Sequence, residues 1–174
     1  PPGEYAWSCL ARERLFEHAS RLHGTAGRLL RLNYAIDMRY GVLHDIARKV
    51  AAGAAIDVTM GHVNVIWQGD ANETALRMLG HCTTPTSPLN VTGLGTVSTR
   101  TLAALFGKLL GRAAIIDGEE AETAWLSNAG AAARLFGAPR VSVETMIAWT
   151  ADWVARDTPS LGKPTHYEAR DGKF

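Results

Sequence analysis

The stretch Leu89-Asn90-Val91-Thr92-Gly93-Leu94-Gly95-Thr96-Val97-Ser98, followed by Thr99 to Gly111 and then Ala113 to Ile116, decides the fold class. Leu89 to Thr92 reads as a brief strand, and two glycines then break it. Ser98 offers its hydroxyl as a helix N-cap, and Leu102, Ala103, Leu105, Phe106, Leu109 and Leu110 recur at helical spacing until Gly111. Ala113 to Ile116 reads as the next strand. A strand, a tight turn, an amphipathic helix and a second strand form one unit of an α/β architecture.

Working toward the N-terminus, Asp70-x-x-Glu73 has capping-box spacing and predicts a helix that begins there and ends near Gly80. Ile56 to Met60 and His62 to Trp67 read as strands rich in Ile and Val, parted by Gly61. Val42 to Ala52 is helical by spacing, Gly27 to Ala35 fits a strand buried in a sheet and feeding a loop, and Ser8 to His23 is an amphipathic helix stopped at Gly24. Toward the C-terminus, Glu122 to Phe136 predicts a helix stopped by Gly137. Ser142 caps a last helix carrying Val143, Met146, Ile147, Trp149, Trp153 and Val154. The polar tail from Pro159, including Gly162 to Tyr167, is expected to be a surface extension.

With 174 residues, 47% of them hydrophobic, the chain is long enough for one domain with a real core. Its 18 Lys and Arg against 17 Asp and Glu are interleaved, so no strong field favours nucleic acid or an acidic membrane surface. No apolar run reaches the roughly 18 to 20 residues of a membrane span. Cys9 and Cys82 lie far apart with no C-x-x-C spacing, which suits free thiols and a cytoplasmic setting. His18, His23, His44, His81 and His166 show no metal-ligand spacing, and no metal is expected. Trp125, Trp149 and Trp153 read as core or interface packing. The opening Pro1-Pro2-Gly3, without an initiating Met, suggests a chain that starts within a larger protein.

Two motifs carry candidate chemistry. Gly93-x-Gly95-x-x-Ser98, with Asp117 about 20 residues on, imitates a dinucleotide-binding fingerprint, in which glycines let backbone N–H groups approach a pyrophosphate. The third glycine is missing, and the same two glycines suit a tight turn before a capped helix. At the front, Tyr5 stands four residues before Cys9, so both side chains fall on one face of a helix. Bare residues leave two readings for each: Tyr5 as a packing aromatic or a proton-transfer group, and Cys9 as a small buried apolar residue or a reactive thiol.

The run Gly3-Glu4-Tyr5-Ala6-Trp7-Ser8-Cys9-Leu10-Ala11-Arg12-Glu13-Arg14 resembles the catalytic helix of extended short-chain dehydrogenases, the NAD-dependent epimerase and dehydratase family. The resemblance continues through Arg31 to Ala35, His62 to Asp70, and Leu89 to Gly93 with its following helix. It implies the C-terminal part of a Rossmann-like doubly wound sheet with a small mixed α/β substrate-binding subdomain. Residues 1–41 would hold the last Rossmann helix and strand with the active-site loop. Residues 42–174 would form the substrate-binding subdomain with interleaved Rossmann elements and a C-terminal tail. The first strands, the glycine-rich NAD loop and the Ser or Thr partner of the tyrosine would then belong to an absent N-terminal half, and Gly93 to a late turn.

By the same resemblance, Tyr5 is the proton-transfer residue. Cys9, Asn33, Tyr34 and Ala35 face an NAD or NADP cofactor, and His62 and Asn64 line the site of a sugar or nucleotide-sugar substrate; read as bare residues, His62 and Asn64 equally suit strand polar groups that satisfy local backbone. The helix of Tyr5 would serve a homodimer, with Leu15 and Leu22 among its contacts. The family pattern is Y-x-x-x-K, and Cys9 holds the lysine position. A free phenol has a pKa near 10, and the lysine cation favours its ionised form; a neutral thiol offers no such charge. Three readings follow. Another cation such as Arg12 substitutes, the oxidised nicotinamide alone lowers the phenol pKa, or redox catalysis is lost and a noncatalytic ligand-binding relative remains. The family's Y-G-P after the strand is replaced by Tyr34-Ala35-Ile36, with Tyr40-Gly41 a few residues later.

Overall fold

The computed structural model describes residues 3–171; Pro1 and Pro2, and with them most of the opening discussed above, lie outside the described residues. The elements in chain order are α1 (Gly3–His23), β1 (Arg28–Leu32), β2 (Ala35–Ile36), α2 (Val42–Ala52), β3 (Ala55–Asp57), β4 (His62–Val63), β5 (Ile66–Trp67) and α3 (Gln68–Arg77) with a 3-10 turn at Met78–His81. Then come β6 (Ser87–Val91), β7 (Val97–Ser98), α4 (Thr99–Leu109), β8 (Ile115–Asp117), α5 (Gly130–Phe136) and α6 (Val143–Ala155). Strands pair two by two: β1 with β6, β2 with β5 and β3 with β8 in parallel, and β4 with β7 antiparallel. Parallel pairs with intervening helices make this an α/β fold.

The main core forms where three apolar helix faces meet. Val42, Leu43, Ile46, Ala47 and Val50 of α2 pack with Leu102, Ala103 and Phe106 of α4 and with Met146, Ile147, Ala151 and Val154 of α6, all buried. A smaller cluster of Ile66, Ala71, Met78, Leu89, Val91 and Ala132 lies beside the β1–β6 pair. The helix α2 spans the predicted residues. Its end is set by Gly53 at φ 68°, a left-handed position that a side chain resists and that turns the Gly53 N–H back onto Lys49 O and Val50 O. Both serine caps form as predicted: Ser98 Oγ accepts from Thr101 N, and Ser142 Oγ accepts from Thr145 N at 3.2 Å.

Other expectations are corrected. The helix α3 begins at Gln68 without a side-chain cap, and Asp70 is buried one turn inside it, its Oδ2 accepting from Val141 N at 2.9 Å. Glu73 takes Arg77 and Arg140 instead of closing a capping box. The predicted helix from Glu122 to Phe136 shortens to α5, because residues before it are held by outside partners. Trp125 N bonds Met60 Sδ, and Ser127 N donates to Asn64 Oδ1 at 2.9 Å. The strand expected over Gly27 to Ala35 breaks at Asn33 into β1 and β2, and Leu30 and Leu32 of β1 are exposed. The stretches Ile56 to Met60 and His62 to Trp67 keep only short strands, β3, β4 and β5.

The C-terminal tail is not a mere surface extension. Tyr167 is 2% exposed and belongs to the main core, and its neighbours are pinned on both sides. Thr165 donates from N and Oγ1 to Asp45 Oδ2 at 2.7 and 2.6 Å, Trp125 Nε1 donates to Ala169 O at 3.1 Å, and Arg170 donates to Thr123 O at 2.8 Å. One aromatic buried within a polar, aperiodic segment gives no periodicity for sequence to read.

Candidate functional site

The helix α1 is laid against the parallel pair by two anchors. Near its middle, Arg31 Nε of β1 donates to Glu13 Oε1 at 2.8 Å. At its end, the buried Ser20 hydroxyl donates to Thr25 O at 2.6 Å and accepts from Thr86 N at 2.8 Å, tying the helix to the entries of β1 and β6. Tyr5 precedes Glu13 by eight residues, roughly 12 Å along the axis at a rise of about 1.5 Å per residue. Glu13 meets the fourth residue of β1, so Tyr5 is carried past the carboxyl end of that strand, where α/β sheets hold ligands. Its side chain is 66% exposed.

Cys9 stands one turn after Tyr5, only half-buried and not the small core residue that a free Cys often is. Arg12 Nη2 approaches Cys9 Sγ at 3.7 Å, so Tyr5, Cys9 and Arg12 follow one another along one face. The phenol of Tyr5 is raised above its ordinary pKa, first by its hydrogen bond to Cys9, next by the thiol's charge when ionised and then by burial; Arg12 opposes the shift. This is the reverse of what an ammonium would do. Tyr5 therefore remains a neutral phenol at neutral pH, able to donate a proton but unsuited to ionise first.

Asn33, Tyr34 and Ala35 cross from the carboxyl end of β1 into β2. Asn33 N donates to Val91 O at 3.1 Å and Tyr34 O accepts from Ile66 N at 3.2 Å, so this short loop is stitched to both β6 and β5. Tyr34 adopts φ 41°, unusual for a residue with a side chain, and its ring packs on the main core. Burial, then the charge of Glu168 in the tail, raises its phenol pKa. The Asn33 side-chain amide points to Trp125 O at 3.4 Å.

His62 and Asn64 have different surroundings. His62 is exposed on β4, paired with Ser98 of β7, and its charge acts on Glu120. Glu120 is held near a pKa of about 2, chiefly by Arg100, whose Nε lies 2.6 Å from Glu120 Oε1. Asn64 is buried, and its amide is fully engaged: Nδ2 donates to Gly95 O at 3.1 Å and Thr96 Oγ1 at 3.4 Å, while Oδ1 accepts from Ser127 N at 2.9 Å. It ties the Gly93–Gly95 turn to the segment before α5.

The dinucleotide fingerprint at this turn gives way to the plainer reading. A Cβ on Gly93 would meet Val65 O at 2.1 Å, so this glycine is needed for a close backbone approach. The next glycine turns its carbonyl to Asn64. Nor do the residues around Tyr5 fit the pairing of a nicotinamide ribose with an ammonium, since Cys9 supplies none. Among the described residues no group of three or more His, Cys, Asp or Glu is placed to hold a metal, and no helix is long and apolar enough to cross a membrane.

Glu168, which sequence reading missed, adds to burial in raising the Tyr34 phenol pKa from the tail, and Trp125, read in sequence as packing, accepts from the Asn33 amide through its backbone carbonyl. Trp149 sets its ring edge-to-face on Trp67 at 5.5 Å, while Trp153 Nε1 donates to Pro159 O at 3.0 Å. A separate groove of about 290 Å³ lies between α3 and α5, with Asp70, Arg77, Thr92 and Arg140 among its walls.

No family model and no curated protein matches the sequence. Solved structures do match. The UDP-glucose 4-epimerase of Thermus thermophilus in complex with NAD superposes with a TM-score of 0.70 at 18% identity, over 87% of this chain and 54% of that one. RMD from Pseudomonas aeruginosa, complexed with NADPH, gives 0.70 at 20% identity over 90% and 58%. The UDP-glucuronic acid 4-epimerase of Bacillus cereus, with UDP-glucuronic acid and NAD, gives 0.72 at 15% identity over 90% and 54%. The chain spans little more than half the length of these structures. The chain therefore shares the Rossmann-like α/β fold of these structures over the part of them that it spans.

Proposed function

We propose that this chain forms the substrate-side part of an NAD(P)-dependent epimerase, dehydratase or reductase acting on a sugar or nucleotide sugar, with Tyr5 as its proton-transfer residue. The observation that carries the proposal is the placement of Tyr5 on the first turns of a helix anchored along β1, in a fold otherwise found in nucleotide-sugar epimerases. In this reading Cys9, Asn33, Tyr34 and Ala35 lie on the cofactor side, while His62 and Asn64 belong to the substrate side. Asn64 acts there by holding the Gly93–Gly95 turn. Tyr5, kept neutral, can donate a hydrogen bond from its hydroxyl to a substrate oxygen and so hold a proton at that atom. No hydride step is derived, because Cys9 does not supply the charge on which the family's chemistry relies. The same helix provides a homodimer face through Leu15 and Leu22, both exposed.

A second reading has a specific observation in its favour. A thiol in the lysine position, with the Tyr5 phenol raised, suits a relative that binds a nucleotide or its sugar without turnover. The discriminating experiment uses the protein at its natural length with UDP-glucose and UDP-glucuronate as probes. Tyr5→Phe is expected to leave probe binding intact and to lower turnover at least a hundredfold. Binding with no turnover in the unsubstituted protein would favour the second reading, and unchanged turnover in Tyr5→Phe would remove Tyr5 from the chemistry.

A further inference from the structure

The groove between α3 and α5, about 290 Å³ in volume, holds two polar groups that the fold leaves unanswered. Thr92 is 2% exposed, and its hydroxyl is buried without a hydrogen-bond partner. Asp70 is 9% exposed; its Oδ2 accepts from Val141 N at 2.9 Å, but among the described residues no donor reaches Oδ1 and no cation pairs with the carboxylate. The start of α3 and Val141 N offset part of that charge, and Oδ1 is left to its burial. Buried polar groups ordinarily have partners, and two without one on the same groove mark a place where a ligand supplies them.

Further along the same groove the charge is opposite. Asp70, Glu73 and Arg77 fall on one face of α3 by their spacing. Glu73 Oε1 accepts from Arg140 Nη2 at 3.0 Å and from Arg77 Nη1 at 3.4 Å, so two guanidiniums share one carboxylate and leave a surplus positive charge. Arg77 is fixed by donating to Phe136 O at 2.9 Å and by lying over the Phe136 ring at 5.2 Å, whereas Arg140 stays open to solvent. Asp70 and Glu73 are about 4–5 Å apart along the helix, at about 1.5 Å per residue. Val91 and Ala132 add apolar wall.

We propose that this groove binds a small zwitterion, its ammonium on Asp70 Oδ1 and the Thr92 hydroxyl and its carboxylate on Arg140 and Arg77. A plain anion would meet the Asp70 carboxylate, and a plain amine would meet two guanidiniums. Only a molecule of both signs is matched at each end. One helical turn between the poles suits an amino group and a carboxylate about three methylenes apart. The Thr92 hydroxyl comes to the ligand by rotation about its Cα–Cβ bond.

The test titrates the protein at its natural length with 4-aminobutyrate, butyrate and butylamine, followed by ligand-observed NMR. The expected result is saturable binding of 4-aminobutyrate at millimolar concentration, at least tenfold tighter than either single-charge probe. Asp70→Asn, which keeps an acceptor for Val141 N, is expected to weaken that binding at least tenfold, and Arg140→Gln at least threefold. Thr92→Val gives a readout that a structural role would not: affinity falls at least threefold while the denaturation midpoint does not drop, because the hydroxyl removed had no partner. Arg140 lies at the surface and Thr92 loses only an orphan group, so these two variants decide the matter if Asp70→Asn does not fold. The proposal is overturned by no saturable binding, by butyrate or butylamine binding as tightly, or by 4-aminobutyrate binding unchanged in any folded variant.

Discussion

Cys9 concentrates the chemical question into one side chain. The thiol and the phenol one turn before it share a hydrogen bond that raises the Tyr5 pKa, whereas an ammonium there would lower it. Cys9→Lys is therefore expected to bring the Tyr5 pKa below that of the unsubstituted chain, read by NMR titration of the labelled ring carbon bearing the hydroxyl. An unchanged or higher value would show that the two side chains do not communicate. Tyr5 and Cys9 were legible in sequence through spacing. The half-exposure of Cys9 and its contact with Arg12 were not, because spacing reports a shared face and not what covers it.

His44 supplies a pH dependence of opposite origin. It is buried beside Ser160, and loss of hydration lowers its pKa below the usual 6.5, with backbone and Asp45 opposing. The unfolded chain binds the proton more readily, so the stability from neutral His44 is complete above about pH 6.5 and falls as pH drops through the lowered folded value. Denaturant titrations at pH 7.5 and pH 5 should show this loss, and His44→Gln should flatten it. An equal slope in both proteins would place the pH dependence elsewhere. At Asn64, where three hydrogen bonds converge in a buried site, Asn64→Ala should cost about 2–3 kcal/mol in the same titrations at neutral pH; a cost under about 0.5 kcal/mol would mean that its partners find water.

Among the elements, legibility tracked where hydrogen-bond partners lie in the chain. The helices α2, α4 and α6 were readable because apolar spacing, local serine caps or a closing glycine all act within a few residues. The capping-box reading failed because Asp70 accepts from Val141, far along the sequence, and the helix before α5 failed because Asn64 and Met60 claim its backbone N–H groups. Ser98→Ala should destabilise the chain by about 1 kcal/mol, as loss of a serine N-cap does, measured by the denaturation midpoint at constant slope. No change would mean that β7 alone holds the start of α4.

At the scale of the whole molecule, the surface around α1 and β1 leaves several large apolar side chains uncovered. Tyr5, Trp7, Leu15, Phe16, Leu22, Leu30 and Leu32 are all exposed there, beside a parallel strand pair, and parallel sheets are ordinarily covered on both faces. Self-association through this face is expected to rise with concentration, and Leu15→Glu with Leu22→Glu should weaken it in sedimentation velocity runs. Association unaffected by both would move the contact off α1. Sequence disclosed the family likeness through four separated segments, but not the tail that returns across α2, since a single buried aromatic leaves no period.

The central claim is that this fold serves an NAD(P)-linked enzyme of sugars, and calorimetric titration of the natural-length protein with NAD, NADP and UDP-glucose tests it most directly. The account predicts saturable binding of one dinucleotide and of the nucleotide sugar, with the sugar's binding retained in Tyr5→Phe. Absence of binding for both dinucleotides would contradict it and leave a fold kept for another purpose.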